Sequence, residues 1–184
     1  MASTPGPKGR PEPPMGLMRR LDAALRAAFP AVFAAALMVL GATPVGVPGL
    51  MMAAALPCVF FWSIFRPAAM PAPVVFVLGL LLDLLSFTPM GIGVLTLLLV
   101  HGVAFRAREV LARTSFLLGW LAFCVVAAGA AVLGWVLQAL LGWQWPAPMP
   151  GLHMFGVAVG LYPGLAWILT RAHMAMRRAE GAAP

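Results

Sequence analysis

Long apolar stretches alternate with short basic clusters along the chain, and this pattern predicts its helices. We place six membrane-spanning helices near residues 27–43, 49–65, 73–88, 91–105, 115–138 and 152–170. A helix perpendicular to the bilayer needs about 20 residues to cross it, so the third and fourth spans are short. They either cross a thinned bilayer or lie partly within protein. The pattern therefore predicts an all-α, polytopic membrane protein.

The basic clusters predict how these helices are oriented. Every Lys and Arg lies before the first apolar stretch, after the second, after the fourth or after the last: Lys8, Arg10, Arg19, Arg20, Arg26, Arg66, Arg106, Arg108, Arg113, Arg171, Arg177 and Arg178. If residues 27–65, 67–105 and 114–170 each form a helical hairpin, all of these charges lie on one side. The positive-inside rule then places that side, with both termini, in the cytoplasm.

The tryptophans independently support this arrangement. They gather at the two predicted boundaries of the membrane, with Trp62, Trp120 and Trp167 near the inner ends of helices and Trp135, Trp143 and Trp145 near the outer face. Tryptophan is enriched at both membrane–water interfaces, because its ring is apolar and its N–H group is polar. The sequence thus predicts two aromatic belts.

The ends of the chain differ in composition from its middle. We predict a disordered cytoplasmic tail at 1–20, a six-helix membrane domain at 21–171 and a second cytoplasmic tail at 172–184. The segment Pro5–Pro14 is rich in Pro, Gly and charge, which indicates disorder, and the pattern over Met15–Ala28 is typical of a short interfacial helix. A cleaved signal peptide is the competing interpretation, although the small residues after the first stretch make a poor cleavage site.

Composition excludes several classes of protein. Hydrophobic residues make up 62% of the chain and charged residues 9%, whereas a soluble domain is about one quarter charged. The net charge of +7 is spread between the apolar stretches rather than gathered in one patch, so we do not expect nucleic acid as a partner. Cys58 and Cys124 show no spacing typical of zinc ligands and are expected to be buried free thiols.

Asp83 is the only acidic side chain inside the apolar stretches. A carboxylate near the middle of a membrane costs about 2.5–3.5 kcal/mol on insertion scales. Gly79 lies one helical turn before Asp83 and Ser86 one turn after it, so the small residue lets another backbone approach the acid. Two interpretations stay open: a buried helix–helix hydrogen bond, or a functional site that faces a cavity or a partner helix.

The histidines do not indicate a cofactor. His101 and His153 differ in predicted depth by roughly 12 Å, so they are poorly placed as a pair of haem ligands. The chain has no GxSxG or HExxH motif and no second intramembrane acid, so we predict no catalytic residue, no metal site and no cofactor. His101 is expected to be a hydrogen-bond donor between helices, and Tyr162-Pro163 predicts a kink in the last span.

Several of these features occur together in one known family. They are Pro57, Phe61-Trp62, Arg66-Pro67, the block Gly79-Leu-Leu-Leu-Asp83-Leu-Leu-Ser86, Gly91, Gly160-Leu-Tyr162-Pro163 and Arg171. In order, spacing and chain length they resemble the MreD family, the small integral membrane subunit of the bacterial rod-shape system. The N-terminal tail and the outer loop 142–150 carry no part of this resemblance.

The resemblance implies a non-enzymatic scaffold in the bacterial inner membrane. Family members sit beside MreC, a single-span protein, and link the MreB filament to the elongation machinery, which includes RodA and a penicillin-binding protein. The residues for which we expect partner contact or a structural role are Trp62, Arg66, Pro67, Gly79, Asp83, Ser86, Gly91, Tyr162 and Pro163. Membrane lipid is a further expected contact. The alternative is a small-solute binding or transport subunit similar to the membrane component of an energy-coupling vitamin transporter.

Overall fold

The computed structural model describes residues 17–42, 49–86, 89–143 and 145–181. These residues form six α-helices and no strand: α1 (Leu17–Gly41), α2 (Leu50–Phe65), α3 (Ala72–Ser86), α4 (Ile92–Leu111), α5 (Phe116–Gly142) and α6 (Met149–Gly181). The predicted all-α class is confirmed. The segment Pro5–Pro14, for which the sequence predicts disorder, lies outside the described residues.

The helices are apolar but differ in length. Three of those described are long and apolar enough to cross a membrane, over Ala24–Gly41, Phe116–Gly142 and Met149–Arg178. Two shorter apolar helices, Leu50–Phe65 and Ala72–Ser86, lie between them. The short third span of the prediction corresponds to α3, which has 15 residues.

Several helices extend further than their apolar stretches. The last one begins at Met149 and continues to Gly181 rather than ending at 170, and α4 continues past Arg106 and Arg108 to Leu111. The first begins at Leu17, within the segment assigned to the tail. These extensions are rich in Ala, Met, Arg and Leu, which favour helix whether or not the environment is apolar.

The second helix is the centre of the bundle. Every residue from Ala53 to Ile64 is buried, and α1, α3, α4, α5 and α6 all pack against α2. A helix that is apolar on all faces is stable where protein surrounds it. In addition α1 packs on α2, α3 on α4 and α5 on α6, which is the pairing that three helical hairpins require.

This central position corrects the prediction for one tryptophan. Trp62 is fully buried, so it does not belong to a belt that faces lipid. Its ring makes edge contacts with Phe29 of α1 and with Phe61, at centroid distances of 6.3 and 5.4 Å. By contrast, Trp167 and Trp143 are 63% and 93% exposed, as residues of a belt should be.

Candidate functional site at the start of the fourth helix

Gly79 brings α3 and α4 into close contact. A Cβ atom added at Gly79 would lie 2.5 Å from the Cα atom of Val94, a distance that real Cβ atoms do not tolerate. The absence of a side chain therefore allows the two backbones to approach each other. This confirms the close approach that the spacing of Gly79 and Asp83 predicts.

The carboxylate of Asp83 caps the N-terminus of α4. Its Oδ1 atom accepts a hydrogen bond from the Gly93 N–H at 2.6 Å, and its Oδ2 atom accepts bonds from Gly91 at 2.8 Å and Val94 at 3.3 Å. The first N–H groups of a helix have no partner within it, and they form the positive end of its dipole. Asp83 is 2% exposed, so these backbone groups are what stabilises its charge.

Two glycines make room for this cap. Gly91 has a φ angle of 106°, in the left-handed region that only glycine adopts without strain, and it immediately precedes α4. A Cβ atom at Gly93 would lie 2.5 Å from Asp83 Oδ1, so any side chain there would displace the carboxylate. Gly93 was not among the predicted site residues, although its place two residues after Gly91 was a usable signal.

A cavity of about 300 Å³ opens beside the cap. The ends of five helices form its walls: α2, α3, α4, α5 and α6 all contribute lining residues. Ser86 lies on its wall with Asp83, and Gln138 of α5 adds a further polar side chain. The remaining lining is mostly apolar and includes Met52 and Met154. The structure thus brings Gly79, Asp83, Ser86 and Gly91 together at one end of the bundle.

Within the described residues, no cluster of His, Cys, Asp or Glu could hold a metal ion. The observed chemistry of this site consists of hydrogen bonds from backbone N–H groups to a carboxylate. A carboxylate that already accepts three backbone hydrogen bonds positions a helix rather than attacking a substrate.

Comparison with known protein families identifies the family of this chain. The family described as rod shape-determining protein MreD matches residues 22–146, which is about two thirds of the chain. This chain belongs to the MreD family. No significant match was found among curated proteins or among solved structures. Membership makes the chain a rod shape-determining membrane protein, and the matched range contains the whole cap from Gly79 to Val94.

Three of the candidate residues lie at the other end of α2 in this MreD family member. Trp62 is buried there, and its Nε1 atom has no hydrogen-bond partner among the described residues. Arg66 donates to Met176 Sδ at 3.5 Å, and Pro67 begins the turn into α3. Asp83 is about 16 Å further along α3, so these residues form no part of the cap.

The last two candidates stabilise the α5–α6 contact. Tyr162 stacks on Phe123 at a centroid distance of 4.3 Å and is buried. Pro163 has no N–H group, so the carbonyl of Val159 loses its usual partner within α6. That carbonyl accepts a hydrogen bond from Trp120 Nε1 at 3.3 Å. The family match ends at residue 146, before these residues.

His101 links α4 to α2, as the sequence predicts. Its Nδ1 atom lies 2.8 Å from Ser63 Oγ, and the Ser63 hydroxyl also bonds the Val59 carbonyl at 2.6 Å. A hydroxyl has one proton, which is used on Val59, so His101 Nδ1–H donates to Ser63 Oγ. The histidine therefore acts in helix packing.

Proposed function

We propose that this MreD family member is a non-enzymatic scaffold of the rod-shape complex in the bacterial inner membrane. In this proposal all six helices cross or enter the bilayer, with both termini and the tails 1–20 and 172–184 in the cytoplasm. A single-span MreC-like protein, RodA and a penicillin-binding protein are its partners in the membrane. MreB is reached through the cytoplasmic loops.

One observation carries the proposal: the only acid within the apolar stretches is engaged in holding two helices together. An enzyme that used this acid as a nucleophile or a proton donor would need its oxygens free of these backbone bonds. Here the carboxylate fixes the geometry of the α3–α4 end, which suits a protein that acts by presenting a rigid surface to partners. The charge distribution supports the orientation, because Arg113, Arg171 and Arg178 are exposed and come after predicted hairpins, as Arg66 does.

The experiment replaces Asp83 in cells depleted of the native protein. Asp83→Leu leaves three backbone N–H groups of α4 without their acceptor, and each such loss costs about 1–3 kcal/mol when buried. We expect round cells and at least a fivefold loss of co-purified MreC-like partner. Asp83→Asn retains one acceptor oxygen but replaces the other with an NH2 group, so it should be impaired less than Asp83→Leu.

Leu84→Ala is the matched control, because Leu84 neighbours Asp83 on α3 but is 55% exposed. It should preserve rod shape and co-purification. All variants are compared at equal amounts of membrane-inserted protein. Rod-shaped cells with normal co-purification in Asp83→Leu would show that the cap is dispensable for assembly.

A second candidate is a small-solute binding subunit, and the cavity beside Asp83 is the observation that favours it. Its volume of about 300 Å³ is at the lower limit of ligand pockets. Its polar side chains are few, however, with Asp83, Ser86 and Gln138 set among apolar residues and glycines. A solute retained by the purified protein in native mass spectrometry would favour this candidate over the scaffold.

A further inference from the structure

The cavity beside Asp83 has an acidic side chain but no basic one. The chain contains 12 Lys and Arg residues, and none is among the described residues that line this cavity. The Lys or Arg nearest to Asp83 in sequence is Arg66, which precedes α3 and lies near the opposite end of that helix. The described lining of the cavity therefore supplies Asp83 with no cationic side chain.

The carboxylate has a lone-pair position for one more donor. Two carboxylate oxygens offer about four lone-pair positions. Among the described residues, Gly91 and Val94 occupy both positions on Oδ2, whereas Gly93 occupies one on Oδ1. One acceptor position on Oδ1 remains. The helix dipole supplies only about half a positive charge, so the carboxylate of Asp83 would still attract a full cation.

The walls suit a long apolar stem that carries this cation. Met51, Met52 and Met154 line the cavity, and methionine side chains adapt readily to the shape of an inserted group. Lysine and arginine have stems of three or four methylene groups that pack on apolar surface while the charged end finds a polar partner. Ser86 and Gln138 offer further oxygen acceptors beside Asp83.

We propose that this cavity receives a lysine or arginine side chain from the periplasmic segment of the single-span partner, and that its cationic group pairs with Asp83. The identity of the partner and the outward orientation of the cavity rest on the proposed function. Charge complementarity is the reason to choose a basic side chain over a neutral solute.

The first test fills the cavity without changing the cap. Gly134 of α5 lines the cavity, and a Cβ atom added there meets nothing within 4 Å, so Gly134→Leu projects a side chain into open space. Gly129→Leu is the matched control, because Gly129 lies on the same helix, has equally open surroundings and is not in the lining. We expect at least tenfold less co-purified partner with Gly134→Leu and a change of less than twofold with Gly129→Leu. Unchanged co-purification with Gly134→Leu would overturn the proposal.

The second test measures the charge preference of the full chain without its partner. Gln138→Cys is introduced together with Cys58→Ala and Cys124→Ala. The new cysteine is then modified with two methanethiosulfonate reagents, one with a cationic trimethylammonium group and one with an anionic sulfonate group, and the two rates are compared. Trp143→Cys is the reference, because residue 143 is 93% exposed and is not in the cavity lining. It gives the ratio of the cationic to the anionic rate for an exposed cysteine. We expect the cation-to-anion ratio at Gln138→Cys to be at least threefold higher, and to fall when Asp83→Asn is added. Equal ratios at the two positions would overturn the proposal.

The two tests separate this inference from the function on which it rests. If the wild-type chain captures no single-span partner, the proposed function fails, and the occupant named here fails with it. If the partner is captured but Gly134→Leu has no effect and the reagents show no preference, only the cavity inference fails. A lipid amine or solute found in the cavity by native mass spectrometry, and lost in Gly134→Leu, would also overturn it.

Discussion

At the scale of the residue, the position of Asp83 is explained by backbone groups rather than by another side chain. A carboxylate within an apolar helix costs about 2.5–3.5 kcal/mol on insertion scales. Hydrogen bonds to a charged group contribute about 1.5–3 kcal/mol each, and Asp83 accepts three at the N-terminus of α4, from Gly91, Gly93 and Val94. The same N–H groups would otherwise be unsatisfied at the start of α4, so the acid and the helix end stabilise each other.

This account predicts that a methyl group at Gly93 is more harmful than one elsewhere on α4. Gly93→Ala forces the carboxylate away, because the new Cβ would lie 2.5 Å from Asp83 Oδ1. We expect a loss of roughly 1–3 kcal/mol of stability, measured by unfolding in detergent. Gly102→Ala is the control on the same helix, since nothing lies within 4 Å of its Cβ position. Equal effects of the two substitutions would contradict the tight fit at Gly93.

At the scale of the element, α6 continues through a proline because a neighbouring helix supplies the missing donor. Pro163 cannot bond the Val159 carbonyl, and Trp120 of α5 donates to that carbonyl at 3.3 Å. Proline is tolerated in transmembrane helices when a neighbouring helix satisfies the freed group in this way. The tryptophan that the sequence assigns to the inner interface therefore also holds α5 to α6.

A double-mutant cycle tests this compensation. Trp120→Phe removes the donor but keeps most of the ring, and we expect a loss of about 0.6 kcal/mol from the hydrogen bond, the average between membrane helices. In a Pro163→Ala background the N–H of residue 163 satisfies Val159, so the same substitution should cost less. A coupling free energy near zero, from unfolding in detergent, would show that the indole does not substitute for the missing N–H.

Sequence patterns predict some of these elements and miss others for physical reasons. The apolar stretches locate all six described helices, because a helix that is buried in protein and a helix that faces lipid both need apolar residues. The ends of α4 and α6 are missed, because helix propensity continues beyond the apolar residues. The spacing allows Asp83 to bond another helix as one of two interpretations, but it does not predict that the partner is a set of backbone N–H groups, which every residue except proline carries. The burial of Trp62 depends on which helix is central, and the sequence does not show this, because a helix that is apolar on all faces can be surrounded either by protein or by lipid.

At the scale of the whole molecule, the two ends of the bundle differ in chemistry. One end has Asp83, the cavity and the exposed Trp143 and Trp145, and the basic residues that follow the hairpins lie at the other. At this basic end, Arg108 lies 4.0 Å from the Phe105 ring and Arg171 lies 5.1 Å from the Trp167 ring. Arginine above an aromatic ring suits a membrane boundary, where the ring faces lipid and the cation faces water and headgroups. This asymmetry is the basis for the proposed orientation.

Paired reporter fusions test that orientation. Alkaline phosphatase, which is active only in the periplasm, should be active when fused after Pro48, Thr88 or Pro148, and inactive after Pro67, Arg113 or Pro184. Green fluorescent protein does not become fluorescent when it is exported unfolded to the periplasm. Its fluorescence should therefore give the opposite pattern at the same six positions. The junction after Arg113 is the most demanding, because α4 extends to Leu111 and is intact in that fusion. Phosphatase activity there would place Arg106, Arg108 and Arg113 outside, against the positive-inside rule, and would refute an arrangement of three hairpins with both termini inside.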